Sequence, residues 1–155
     1  MKHYIDTSTL FNALAGAELT SIRRIAATGD FIFTANQKEY VFRIQSAFRL
    51  VRDKTVLLAN LDIFQPSNEL ENSENFSWDN FNWDVKGNNL FDSNAPDVLQ
   101  SLSETTVEDI ELTSFGDITI TFSNDTFLQT FSNASNDEQW RLFGGDLKND
   151  IIFEK

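Results

Sequence analysis

The sequence predicts an α+β fold: mostly antiparallel β-sheet from two similar hairpin units, with one or two short helices. Three observations support this prediction. One motif occurs twice, since Gly29-Asp30 opens a run ending in Phe48-Arg49-Leu50, and Gly116-Asp117 opens a run ending in Trp140-Arg141-Leu142. Apolar and polar residues alternate within both runs, which is the period of a half-buried strand. Fifteen Phe, three Trp and two Tyr supply much of the apolar content, and aromatic residues favour strands.

The two runs can be aligned to test for a duplicated unit. Five pairs of matching residues are separated by 87 positions: Gly29/Gly116, Asp30/Asp117, Thr34/Thr121, Tyr40/Phe127 and Ile44/Phe131. Arg49 and Arg141 are separated by 92, so the second half needs five extra residues, which we place near 132–137. Because the identities are few, convergent patterning of two hairpins is the alternative to internal duplication.

The other elements follow from local patterns. A cap followed by apolar residues at helical spacing predicts a short helix over 7–16. Alternation on both sides of a polar turn at 36–38 predicts a hairpin. The near-continuous apolar run at 55–59 predicts a central strand that is buried on both faces. Pro96 indicates a helix start, because proline is tolerated in the first helical turn.

Length and charge limit the class of protein. The 155 residues fit a single domain, 1–155. The net charge is −12, and it is uneven: residues 1–65 hold eight Lys/Arg against six Asp/Glu, residues 66–104 one against eight, and residues 105–155 three against ten. Such a field repels phosphate backbones, which disfavours nucleic-acid binding, and it attracts basic protein surfaces.

Several further classes are disfavoured by residues that the sequence lacks. Cysteine is absent, which excludes disulfides, iron–sulfur clusters and thiolate zinc sites. The N-terminal residues lack the apolar core of a secretory signal, and no apolar run approaches the roughly 18 residues of a membrane-spanning helix. We therefore expect a cytoplasmic protein that does not enter a membrane.

Catalysis is not expected, and no catalytic residue is assigned. His3 is the only histidine, so a nucleophile–histidine arrangement has no interior base. No glycine-rich phosphate loop is present, and the run 79–84 lacks the glycine of a calcium loop. We expect no metal and no cofactor. A hydrolase that uses paired carboxylates is the exception that these residues leave open.

The segment 66–89 is a long acidic loop with aromatic residues and no clear periodicity. Long loops of this kind within compact domains are usually functional. Its aromatic and acidic side chains are the interface candidates: Phe76, Trp78, Asp79, Phe81, Trp83 and Asp84. The rings can anchor a partner protein, hold a carbohydrate, or fold back over one end of the sheet.

Two arginines follow aromatic residues in predicted strands and should point away from them. A half-buried arginine needs a carboxylate, and the repeat-matched candidates are Asp30 for Arg49 and Asp117 for Arg141. We therefore assign structural roles to these four residues, together with Gly29, Gly116 and Trp140.

Part of the sequence resembles a family. Phe115-Gly116-Asp117-Ile118-Thr119-Ile120, Thr126-Phe127-Leu128 and the late element Glu138-Gln139-Trp140-Arg141-Leu142-Phe143 look like a group of small uncharacterised bacterial proteins. The earlier step at 44–50 is similar to a second element of that group, with Phe48 where tryptophan is expected. Some members resemble immunity proteins that neutralise toxins of contact-dependent competition. The resemblance covers about a third of the chain and implies a single-domain protein of unknown function; its motifs are structural, so it specifies a fold better than a function.

These observations leave functional hypotheses from different classes. The first is a protein-binding protein, such as a cytoplasmic immunity protein that occludes a basic toxin with loop 66–89. The second is a small-ligand module, for a carbohydrate or a metal, with the same loop as the rim of its site. A homodimer that buries the loop or the edge at 151–153 is a third.

Overall fold

The computed structural model describes residues 5–154, so His3 lies outside the described part. Residues 5–154 form ten strands in two antiparallel sheets and three α-helices, which confirms the predicted α+β class. The helices are α1 (Thr7–Leu14), α2 (Asn68–Glu71) and α3 (Leu90–Ser101). The strands are β1 (Glu18–Ile25), β2 (Thr28–Ala35), β3 (Lys38–Ile44), β4 (Ala47–Arg52), β5 (Thr55–Ala59), β6 (Val107–Leu112), β7 (Ile118–Phe122), β8 (Phe127–Phe131), β9 (Glu138–Gly144) and β10 (Ile151–Glu154).

The two halves of the chain have the same topology and exchange strands. The first sheet has the order β1-β2-β3-β9-β10, and the second, read from its β6 edge, has the order β6-β7-β8-β4-β5. Each half, a helix followed by five strands, gives three strands to one sheet and two to the other. Helix α1 contacts β6 and helix α3 contacts β1, so each helix covers a strand of the other half. This shared order supports the duplicated unit that the motifs predict.

The hairpins of the two halves differ by one residue in the turn. Hairpin β2–β3 closes with a two-residue turn, since Ala35 pairs with Lys38. In hairpin β7–β8, Thr121 pairs with Phe127 and the turn is one residue longer. The buried residue that corresponds to Tyr40 is therefore Leu128, so the expected matches Tyr40/Phe127 and Ile44/Phe131 are wrong.

The connection between β8 and β9 contains the rest of the five extra residues that the alignment requires in the second half. It spans 132–137, whereas only Gln45 and Ser46 connect β3 to β4. The buried side chain of Gln139 holds it, since Nε2 donates to the carbonyl of Ala134 at 2.9 Å. The N–H groups of Gln45 and Ser46 both donate to the Gln139 carbonyl at 3.0 Å. The five residues required by the alignment thus divide into one in the turn and four in this connection.

Gly29 and Gly116 lie beneath the aromatic residues of their own halves. A Cβ built on Gly29 would meet the ring of Phe48 at 2.8 Å, closer than side chains approach each other. Gly116 has φ of +86°, and its carbonyl accepts a hydrogen bond from Nε1 of buried Trp140 at 2.8 Å. A side chain at Gly29 would displace the buried ring of Phe48, and a side chain at Gly116 would clash with the half-buried ring of Phe153.

Strand β5 is an edge strand of the second sheet, so the prediction of a central, doubly buried strand is wrong. Only Leu58 is fully buried in it, while Val56 is 53% exposed. An apolar run of this length shows that a strand is present, but it does not show whether a neighbour lies on each side.

Helix α3 begins at Leu90, earlier than the predicted start at Pro96. The side chain of Asn89 caps it by accepting a hydrogen bond from the N–H of Asp92 at 2.8 Å. Pro96 lies inside the helix on its exposed side, where one lost backbone hydrogen bond is tolerated.

The predicted pair of Arg49 with Asp30 is wrong. Asp30 is almost fully buried and forms a bidentate pair with Arg43, with distances of 2.8 and 2.9 Å. These two residues are direct cross-strand neighbours on β2 and β3. Arg49 belongs to the other sheet, where its Nε donates to Oε1 of Gln129 at 2.8 Å.

The predicted pair of Arg141 with Asp117 is also wrong. Arg141 forms a bidentate pair with Glu138, at 2.8 and 2.7 Å, and a further bond with Asp150 at 2.9 Å. The carboxylate of Asp117 accepts the N–H of Ser132 at 2.7 Å. The exchange of strands is the reason, because it separates each arginine from the carboxylate of its own half.

Candidate functional site

Loop 66–89 is closed at its base by backbone hydrogen bonds. The N–H of Leu90 donates to the carbonyl of Gln65 at 2.8 Å, and the N–H of Ser67 donates to that of Asn88 at 2.7 Å. The loop contains α2 and a 3₁₀ turn at Trp78–Asn80. It is therefore an ordered excursion with its two ends side by side, as in an Ω-loop.

Arg24 at the end of β1 binds the C-terminal part of loop 66–89 and the start of α3. Its guanidinium forms a bidentate pair with Asp92 on α3, with both distances 2.9 Å. The same group donates at 3.0 Å to the carboxylate of Asp84 and at 3.0 Å to the Asp84 carbonyl. The Arg24 side chain is only 6% exposed, so one buried cation joins a strand, a helix and the loop.

The electrostatics of this clamp favour its charged form. Burial alone would raise the pKa of Asp92, but hydrogen bonds from Arg24, from the N–H of Gly87 and from Asn89 outweigh it and hold the pKa below its ordinary value. The hydrogen bond with Asp92 in turn raises the pKa of Arg24. Ion pairing thus outweighs desolvation, and the clamp is charged at neutral pH.

Trp83 anchors the loop to the body of the protein. Its ring meets Phe64 edge to face, with centroids 4.9 Å apart, and it packs against the main core. Its carbonyl accepts a hydrogen bond from Nδ2 of Asn89 at 2.8 Å. Of the predicted interface candidates, Trp83 therefore has the contacts of a structural residue, and Asp84 takes part in the Arg24 clamp.

Phe76, Trp78 and Phe81 form an aromatic cluster of their own. The three rings meet edge to face, with centroid distances of 5.4, 6.2 and 5.8 Å. None of them belongs to the main core, and Trp78 is 59% exposed while the other two rings are half-buried. The structure thus brings three of the predicted candidates together and presents one large ring to solvent.

Two exposed carboxylates lie next to the aromatic cluster in the sequence. Asp79 follows Trp78 directly and is exposed, and so is Glu74; within residues 5–154 neither forms a salt bridge. Ser77 orders the turn, because its Oγ accepts the N–H of Asp79 at 3.1 Å. The site is an ordered ring cluster with uncompensated negative charge, an arrangement suited to a cationic surface.

Sequence reasoning missed Arg24. Two adjacent arginines suggest a solvent-exposed pair, and Arg23 is indeed exposed. The side chain of Arg24, in contrast, is buried. Two consecutive strand residues point to opposite faces, so an Arg-Arg pair at a strand end was the available signal.

Residues 5–154 contain no group of three or more His, Cys, Asp or Glu side chains placed to hold a metal ion. Among these residues there is also no helix of the length and apolarity needed to cross a membrane.

Comparisons of the chain with protein-family models, with curated proteins and with solved structures found no match.

Proposed function

We propose that this protein is a non-catalytic protein-binding protein, and that loop 66–89 docks on a basic surface of its partner. The observation that carries the proposal is the exposed Trp78, held in an ordered cluster beside unpaired carboxylates. Large rigid rings at the centre of an interface supply most of its binding energy. Because the Arg24 clamp orders the loop before binding, little conformational entropy is lost on docking.

The specific version of this proposal is a cytoplasmic immunity protein that covers a basic toxin. The sequence resemblance favours this version, and the net charge of −12 is consistent with it. The mechanism would be occlusion: Trp78 fills a pocket on the toxin while Asp79 meets Lys or Arg at the pocket rim. A toxin gene directly upstream would identify the partner to be tested.

The test is capture of partners from the source cell by the parent protein and by Trp78→Ala. With the captured protein purified, we expect Trp78→Ala to weaken binding by about thirtyfold or more. Phe115→Ala is the matched control, because Phe115 is an equally exposed ring, at 66%, outside the loop. Equal binding by Trp78→Ala and the parent would overturn the proposal.

Salt dependence separates this function from its alternatives. Association steered by the acidic loop should slow as ionic strength rises, and Asp79→Asn should slow it further while Glu108→Gln, on the exposed face of β6, should not. Binding of a neutral carbohydrate would be indifferent to salt. A dimer that buries the loop would be seen as a concentration-dependent mass, and either result would count against the proposal.

A further inference from the structure

A groove on the outer face of the second sheet has the opposite charge to the rest of the protein. It lies at the β4–β5 turn and has a volume of about 270 Å³. Three cationic side chains and three apolar ones line it: Arg49, Arg52, Lys54, Val51, Val56 and Phe127. Asp53 is the one acid among its lining residues.

The three cations of the groove have no carboxylate partner. Six salt bridges form within residues 5–154, and none of them involves Arg49, Arg52 or Lys54. In a chain of net charge −12, carboxylates are plentiful, yet among the residues that line the groove Asp53 is the single acid against three cations. The groove is therefore a local anion-attracting site whose charge the protein does not itself neutralise.

One of these cations is held in position. The Nε of Arg49 donates to Gln129 at 2.8 Å, and its guanidinium lies over the ring of Phe131, 5.2 Å from the centroid. The side chain is thus ordered before any ligand arrives, and neither contact uses the terminal nitrogens. Guanidinium groups bind carboxylates through such planar pairs of donors.

The apolar residues that line the groove favour an anion that carries a hydrophobic ring. Val51 and Phe127 are cross-strand neighbours, and Val56 on the edge strand β5 is 53% exposed. An engineered cavity of about 150 Å³ accepts benzene, so about 270 Å³ accommodates a ligand of one or two rings.

We propose that this groove binds small aromatic carboxylates, with the ring against Val51, Val56 and Phe127 and the carboxylate among Arg49, Arg52 and Lys54. The site is separate from loop 66–89. It would give the protein a small-molecule ligand in addition to its protein partner.

Lys54 offers a test that separates binding from folding. It is the second residue of a two-residue hairpin turn and has φ of +64°, a conformation that glycine adopts more readily. Lys54→Gly therefore removes a cation and at the same time relieves the backbone. Gln37 occupies the same place in the β2–β3 turn, with φ of +65°, so Gln37→Gly is the matched control.

The experiment is a titration of the full chain with 2-naphthoate and with its neutral isostere 2-naphthamide, followed by calorimetry and amide chemical shifts. We expect 2-naphthoate to change the backbone amide chemical shifts of residues 49–56 and 127. We also expect it to bind about tenfold more tightly than 2-naphthamide. Lys54→Gly should raise the melting temperature and weaken 2-naphthoate about two- to fivefold. Gln37→Gly should raise the melting temperature and leave the affinity unchanged.

Three results would overturn the inference: equal affinity for the two ligands, shifts confined to residues outside the groove, or undiminished affinity in Lys54→Gly. Trp78→Ala should bind 2-naphthoate like the parent, because the loop is not part of this groove. Failure of the groove and failure of the loop as a docking site are therefore distinguishable.

Discussion

Arg24 and Asp92 lie 68 positions apart in the chain and form a bidentate ion pair, with both distances 2.9 Å. The pair joins the C-terminal end of strand β1 to the first turn of helix α3. Since Arg24 also binds Asp84, the position of loop 66–89 depends on this pair.

Arg24→Lys should lower the free energy of unfolding by about 2 kcal/mol, because an ammonium group cannot reproduce the fork of donors that binds Asp92 and Asp84. Chemical denaturation at neutral pH measures the change. The neighbouring exposed Arg23→Lys is the control and should stay within about 0.5 kcal/mol of the parent. Equal losses in the two variants would show that the clamp does not stabilise the fold.

The pKa of Asp92 predicts a loss of stability in acid. Its folded-state pKa lies below the unfolded value, so the native state binds fewer protons and is favoured by ionisation. This stability is present above about pH 4 and is lost as pH falls through the folded pKa. Asp92→Asn should be about 2 kcal/mol less stable than the parent at pH 7, and the difference should shrink towards pH 2. Denaturation series at several pH values, with exposed Asp97→Asn as control, measure this.

Asp62 should have the opposite pH dependence. Burial raises its pKa, although the N–H of Ala59 donates to its carboxylate at 2.9 Å. The folded state therefore favours the protonated form of Asp62, and ionisation of Asp62 at neutral pH destabilises the folded protein. Asp62→Asn keeps the acceptor and should gain about 0.5 kcal/mol at pH 7, a gain that disappears as pH falls below about 4. A variant less stable than the parent at pH 7 would contradict this.

The two tryptophans of the loop should differ in their effect on stability. Trp83→Ala removes the contact with Phe64 and part of the core packing, so we expect a loss of about 2 kcal/mol or more. Trp78→Ala removes an exposed ring and should change stability by about 0.5 kcal/mol or less. Thermal melts of both variants test this, and a larger loss in Trp78→Ala would mean that its ring stabilises the fold.

Local pattern predicted the hairpins because alternation is set by neighbouring residues. Phe31 and Phe33 face the core on β2, as do Ile118 and Ile120 on β7, in agreement with the prediction. The edge position of β5 could not be predicted, because the distant half places its strand β8 beside β4 and not beside β5.

The candidate site was predicted in outline but not in its division of roles. Composition identified 66–89 as an acidic aromatic loop, yet Trp78 and Trp83 occur in the same kind of sequence, each followed by Asp. Only the fold separates them, because Phe64 is adjacent to one ring and not to the other. The arginine partners were mispredicted for a related reason: Arg49 bonds Gln129 on the adjacent strand β8, and Arg141 bonds Glu138 three residues earlier on β9. Neither contact follows from an alignment of the two repeats.

The exchange of strands between halves has a consequence for synthesis. When residues 1–65 have left the ribosome, β3 and β4 each lack the neighbour that the later half supplies, β9 and β8 respectively. The second sheet cannot close until β8 has been translated, and the first cannot close until β9 has been translated. The nascent chain therefore has two open strand edges that can pair with other chains until the later half arrives.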